Sequence, residues 1–300
     1  MLFFSLFFRY NENGDAMFFK RREKFDRVMI KAKMPCLDEL AGHGAEFMYK
    51  PGCCGSGEGR KYWRNFGSWM KHVKEYKYVI LGENYYNYDV SRYIKERNPN
   101  CKVILFFWNK LVFDHYFDLT KDPNLDEIYT FDEEEAEKYN FKFNTTYYSK
   151  RAKLPENEIE DDVIFLGRAK DRMDDILSFE KKLKKKKIKT NFKIITDEKD
   201  YVDYKDYIVM ISKCKCLLDF NAYNQRGLAL RTMEALFFKK KLITTNKFIK
   251  TYDFYNKNNI FIIGEDNMDD IVDFINSPYE PIDPEIVDYY DFDNWIKRFE

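Results

Sequence analysis

Short runs of wholly apolar, β-branched residues, each followed by a polar or amphipathic stretch, constrain this chain more than any other feature. The run CKVILFFW at 101–108 has no polar side chain after Lys102. A strand with one wet face alternates apolar and polar residues, whereas a strand apolar throughout is covered on both faces. That makes CKVILFFW a central strand. The same kind of run recurs as DRVMIKA, KYVILG and EIYTFD, and later as DVIFLG, NFKIIT, CLLDFN, KLITTN and NIFIIG. Between them lie helical stretches: WMKHVKEY, YDVSRYIKER, EEEAEKY, RAKDRMDDILSFEKKLKKKK, DYIVMISKCK and MDDIVDFI. Asp132 stands where it caps EEEAEKY. Strands alternating with helices imply an α/β fold with mostly parallel sheets.

The rhythm breaks once. SKRAKLPENEIED, Ser149 to Asp161, is polar and charged. Such a stretch reads as a crossing between domains. It separates residues 1–150 from 162–300, with 151–161 as linker. A chain of 300 residues is long enough for two cores. The expectation is two Rossmann-like, doubly wound domains facing a cleft, with ligand at the carboxyl ends of the strands.

Composition removes several classes of function. Lys and Arg number 51 and so do Asp and Glu, so no global field draws the chain to nucleic acid. Six cysteines occur, none in a C-x-x-C pair, and a chain of this size needs no staples. Reduced thiols and a cytoplasmic protein are expected. The opening MLFFSLFF is too short for a signal peptide and reads as a buried strand. No run approaches the roughly 18–20 apolar residues of a membrane span. The one basic run, Lys181 to Lys189, is either a solvated helix face or a peripheral contact with anionic lipid.

The segment NQRGLALRTMEALFFKKKLITTN, Asn224 to Asn246, carries the chemistry. Gly227 opens a turn, and Leu230, Met233 and Phe237 mark the apolar face of a helix. A glycine turn feeding a helix N-terminus presents free N–H groups to an anion. Arg231 adds a planar fork of donors for phosphate. Glu234 can accept from ribose hydroxyls, as the acidic residue of dinucleotide folds does. The residues alone equally allow a surface pair between Arg231 and Glu234.

This segment resembles the donor-binding signature of GT-B glycosyltransferases. It is most similar to bacterial lipopolysaccharide-core and capsular polysaccharide biosynthesis enzymes with a GL..RT.EAL...K.LITTN pattern. The downstream IKTYDFYNKNNIFII resembles that group as well. In many retaining members the signature holds two glutamates eight positions apart. Here the second falls on Glu234, and Arg226 stands at the position of the first. The resemblance implies a metal-independent glycosyltransferase with a nucleotide-sugar donor, a glycan or lipid-linked acceptor and no further cofactor. It implies donor contacts from Arg226, Gly227, Leu228, Arg231, Thr232 and Glu234. It also implies that the closing WIKRF crosses back to the first domain.

Other candidates are thinner. Gly167, Arg168 and Lys170 in FLGRAKDR follow a strand directly, where a phosphate-binding turn sits in a doubly wound domain. Asp219, Asn221 and Asn224 lie at or beyond the end of CLLDFN; they read a base or sugar, or merely shape the turn. In the first half, Glu83 and Asn84, Trp108 and Asn109 lie at strand ends. His43 and Glu83 are the candidate bases for deprotonating an acceptor hydroxyl. The loop GCCGSGEGR lacks the GK[ST] ending of a P-loop. The alternative to an enzyme is a nucleotide- or glycan-binding protein that kept the fold without the chemistry.

Overall fold

The computed structural model describes residues 27–30, 73–83, 88–111, 114–197, 200–221 and 225–299. His43, Asn84, Asn224, MLFFSLFF and GCCGSGEGR lie outside them. The chain forms two compact units, one of 1–145 with 292–300 and one of 146–291.

In the first unit, β1 (Arg27–Ile30), β2 (Tyr78–Gly82), β3 (Lys102–Phe107), β4 (Glu127–Thr130) and β5 (Lys142–Phe143) lie side by side in chain order. All pairs are parallel. The connecting helices are α1 (Tyr88–Arg97), α2 (Asp114–Leu119) and α3 (Glu133–Tyr139). Asp132 caps α3 as its sequence predicts, accepting from the Glu135 N–H at 3.3 Å. Strand order that always advances the same way puts right-handed crossovers on one face. Packing agrees: Val79, Leu81, Val103 and Leu105 form one core with Val90 and Ile94 of α1, against which Phe117 and Tyr139 also pack.

The alternate residues face the other way and meet the end of the chain. Phe106 packs edge-on against Trp295 and Phe299, at 5.1 and 5.7 Å between ring centroids. Trp295 Nε1 donates to the Thr145 carbonyl at 2.6 Å, and Arg298 Nε donates to Asn144 Oδ1 at 2.9 Å. Among the described residues, then, the first unit has helices on one face and the chain's last residues on the other. Among the described residues, double winding is seen in the second unit.

The second unit runs β6 (Asp161–Arg168), α4 (Met173–Lys185), β7 (Thr190–Ile195), α5 (Tyr204–Ser212), β8 (Cys214–Asp219), α6 (Leu230–Phe237), β9 (Lys241–Thr244), β10 (Ile260–Ile262) and α7 (Ile271–Asn276). Its sheet is parallel, in the order β7-β6-β8-β9-β10. From β6 the chain steps outward to β7, then returns past β6 to β8. That reversal sends α4 to one face and α5 and α6 to the other. Ile176, Phe179 and Leu183 of α4 accordingly share a core with Ile271 and Ile275 of α7.

The chain passes between the units at Thr145–Thr146, ahead of the polar stretch expected to do so. Tyr148 already belongs to the second unit. Its N–H donates to the Tyr290 carbonyl at 3.0 Å, and its ring packs on Phe237 and Phe238, both at 5.4 Å. Residues 151–160 are largely exposed and lie within that unit. Polarity marks where a chain is wet, and a wet segment need not join two cores. Among the described residues no helix is long and apolar enough to cross a membrane.

Candidate functional site

At the carboxyl edge of the second sheet, β6 ends in Gly167–Arg168 and β8 in Asp219. These neighbours flank the point where strand order reverses. Their following loops leave in opposite directions, and a crevice opens between them.

Arginines fill this crevice. Arg231, in the first turn of α6, donates from Nη1 to Asp219 Oδ1 at 2.8 Å. Its Nε and Nη2 both donate to the Leu166 carbonyl, at 3.3 and 3.0 Å. The guanidinium also lies 5.0 Å from the centroid of the Phe165 ring. Burial pulls the Arg231 pKa down, but the charges of Asp219, Tyr207 and Glu234 outweigh it and hold the group above its ordinary value. Gly167 makes the approach feasible: a Cβ there would stand 2.5 Å from Arg231 Nη2.

Arg172 bridges the crevice. It donates from Nη1 to the Phe220 carbonyl beyond β8 and from Nε to the Ala169 carbonyl, the latter at 3.2 Å. Burial, then the positive charge of Arg231, lowers its pKa. Arg168 donates from Nη2 to the Tyr201 hydroxyl at 2.5 Å, while its buried Nε–H has no partner among the described residues. Arg172 and Arg231 therefore stand together at a crevice in which Asp219 is the buried carboxylate, while Arg168, at the end of β6, turns to Tyr201. An arginine whose positive charge is disfavoured by burial and by a neighbouring guanidinium, as Arg172 is by Arg231, favours an anionic ligand.

The loop after β8 is held by its own polar groups. The Asn221 N–H donates to Thr245 Oγ1 at 2.8 Å, and Asn221 Nδ2 donates to the Gln225 carbonyl at 2.6 Å. Gln225 Nε2 donates to the Gly227 carbonyl at 3.0 Å. The Arg226 guanidinium lies 4.4 Å from the centroid of the half-exposed Phe248 ring. Asn221 and Arg226 thus stand at the carboxyl edge, partly exposed.

Several expected contacts are placed otherwise. The helix begins at Leu230 after Ala229, so Gly227 lies before the turn and is itself buried. Leu228 is 2% exposed, its carbonyl taken by Thr146 Oγ1 at 2.7 Å. Thr232 is buried as well. Lys170 opens the short 3₁₀ turn after β6, and its side chain lies outside the described residues.

Glu234 does not face a ribose. It is 1% exposed and accepts from the Tyr204 hydroxyl at 2.8 Å and the Tyr207 hydroxyl at 3.1 Å. Tyr148 extends this network, its hydroxyl 2.5 Å from that of Tyr204. Burial pushes the Glu234 carboxyl up to about 7 against the pull of the tyrosines and Arg231. The reason is helical phase: Arg231 and Glu234 lie on neighbouring faces of α6. Arg231 reaches the strand ends, while Glu234 points between α5 and the sheet. Nor do the two form the surface pair, since Arg231 takes Asp219 instead.

Glu83 is not an open base. It is buried, accepting from the Trp108 N–H at 3.0 Å and from Asn109 Nδ2 at 2.5 Å, and so ties the end of β2 to the end of β3. Arg172, Tyr201 and the pairing role of Asp219 were not singled out from sequence. The one available signal was Arg172 four residues beyond Arg168, in FLGRAKDR.

No protein-family model matches the chain, and no curated protein matches it. Among solved structures, an NAD+-bound 3-phosphoglycerate dehydrogenase of Entamoeba histolytica is 12% identical over 74% of this chain and 72% of that one. Its TM-score is 0.22, a likeness too slight to carry any argument about fold or activity.

Proposed function

We propose that the chain is a metal-independent glycosyltransferase that moves a sugar from a nucleotide-sugar donor to a growing cell-surface glycan. The carrying observation is the pair Arg172 and Arg231 at the switch point of the second sheet, next to the strand-end Arg168, whose buried Nε–H has no partner among the described residues. The GL..RT.EAL pattern supplies the sugar-transfer reading. In this reading the donor phosphates sit between Arg168 and Arg172, and Arg231 is a fixed charge held by Asp219. Asn221 and Arg226 border the nucleoside or sugar. The acceptor oxygen attacks the anomeric carbon as the bond to the donor phosphate breaks. The phosphate leaves with the electron pair, and the preorganised guanidiniums stabilise its growing charge. The acceptor proton passes to a base not assigned among the described residues. Calorimetric titration with UDP, GDP, CMP and dTDP, then assay of the matching sugar nucleotides, tests the reading. Absence of binding by every nucleotide overturns it.

A second reading is a nucleotide- or glycan-binding protein without transfer. It is favoured by Glu83 and Glu234, whose carboxylates are both consumed by internal hydrogen bonds. Nucleotide binding with neither donor hydrolysis nor transfer would select it.

A further inference from the structure

We infer that the exposed face of α4 and the turn after it form a docking surface for an anionic lipid bilayer. Seven lysines fall within Lys181 to Lys189, in a chain whose net charge is zero. Leu183 and Ile188 turn into the core, and this leaves the lysines outward. Lys184 pairs with Glu180 at 2.7 Å and Lys186 with Asp269 at 2.9 Å. Lys181, Lys182, Lys185 and Lys187 have no ion pair among the described residues. One or two cations suffice to complement the end of a helix dipole, so the surplus is not explained by α4 itself.

The apolar content of this face decides between anionic partners. Leu177 is 46% exposed, one and two turns before Lys181, Lys184 and Lys185, and lines a shallow depression with them and Glu180. Ile176, Phe179 and Leu183 occupy the opposite, buried face. A leucine ringed by lysines fits the headgroup boundary of a bilayer, where the side chain enters the acyl region and the ammonium groups meet phosphates. Single-stranded nucleic acid would call for exposed rings to stack on, and this face has none among the described residues.

The surface is also placed apart from the arginines. α4 leaves the carboxyl edge of the sheet and ends at its amino edge, where the Lys189 N–H donates to Asp162 Oδ2 at 2.8 Å. Docking there leaves the arginine crevice free, so the inference stands independently of the proposed activity.

Co-sedimentation with vesicles tests it. The full chain should bind vesicles containing phosphatidylglycerol, bind pure phosphatidylcholine weakly, and release as salt is raised. Lys181→Glu with Lys185→Glu should lower the partition coefficient at least about ten-fold. Leu177→Ser, which leaves the charge unchanged, should lower it about three-fold or more. Both variants alter exposed positions, and unchanged circular dichroism and melting confirm the fold; Lys181→Gln with Lys185→Gln is the milder substitute. Equal binding to neutral and anionic vesicles overturns the inference. So does charge reversal without effect, or tighter retention by a short RNA that is indifferent to Leu177→Ser. Nucleotide affinity should be the same with and without vesicles, whichever way the activity assay turns out.

Discussion

Arg231 Nη1 lies 2.8 Å from Asp219 Oδ1 and ties the first turn of α6 to the last residue of β8. Asp219 is 2% exposed at its side chain and Arg231 21%. Removing one member of so buried a pair leaves the other charge without its partner. Arg231→Ala should therefore destabilise the protein by about 2–4 kcal/mol. Urea denaturation followed by circular dichroism measures this, and a loss below roughly 1 kcal/mol would contradict a structural role.

Nucleotide affinity should depend on the other two arginines. A charge-assisted hydrogen bond contributes about 1.5–3 kcal/mol, so Arg168→Ala should weaken binding of a nucleoside diphosphate about ten-fold or more. Arg168→Lys keeps the charge but not the planar fork, and should fall between the two. Calorimetric titration decides; parent-like affinity in both variants would move the phosphate site elsewhere.

Gly167→Ala should perturb the same crevice without changing charge. The new Cβ meets Arg231 Nη2 at 2.5 Å, and the guanidinium cannot withdraw freely from Asp219 and Leu166. A cost of about 1–3 kcal/mol is expected, with weaker nucleotide binding. A melting temperature and affinity equal to the parent's would show that Arg231 has room to move.

Glu234 should make stability pH-dependent in the direction opposite to most carboxylates. Its pKa in the folded chain, about 7, exceeds its ordinary 4.5. The folded state therefore holds a proton that the unfolded state releases, and stability falls as pH rises from 4.5 to about 7, then levels off. The amplitude is on the order of 3 kcal/mol relative to Glu234→Gln, which does not titrate. Denaturation of both proteins across that range tests it; parallel curves would exclude a raised pKa.

Cys101, Cys214 and Cys216 are free and buried. Burial raises all three thiols, Cys101 and Cys214 to about 12. Thiolate is the reactive form, so these residues should alkylate only after unfolding. Peptide mapping after a maleimide pulse, with and without denaturant, reads this residue by residue.

The sequence by itself determined where the strands lie, because a parallel strand covered on both faces must be apolar along its whole length. KYVILG, CKVILFFW, DVIFLG and CLLDFN all became strands for that reason. It determined the Asp132 cap, a contact three residues long. Local spacing also put Gly167 and Arg168 at a strand end. Strand order was decided only in three dimensions, since a helical crossover of given length can step to either side. That order separates a sheet advancing one way from one that reverses and opens a crevice. Tertiary packing alone brought Arg172 to Asp219 and Arg231 across 47 and 59 residues of chain, and set the last residues, 292–299, against Phe106. It also turned Glu234 inward. A carboxylate on an amphipathic helix faces ligand or core according to what packs beside it, and here Tyr204 and Tyr207 arrive from another helix.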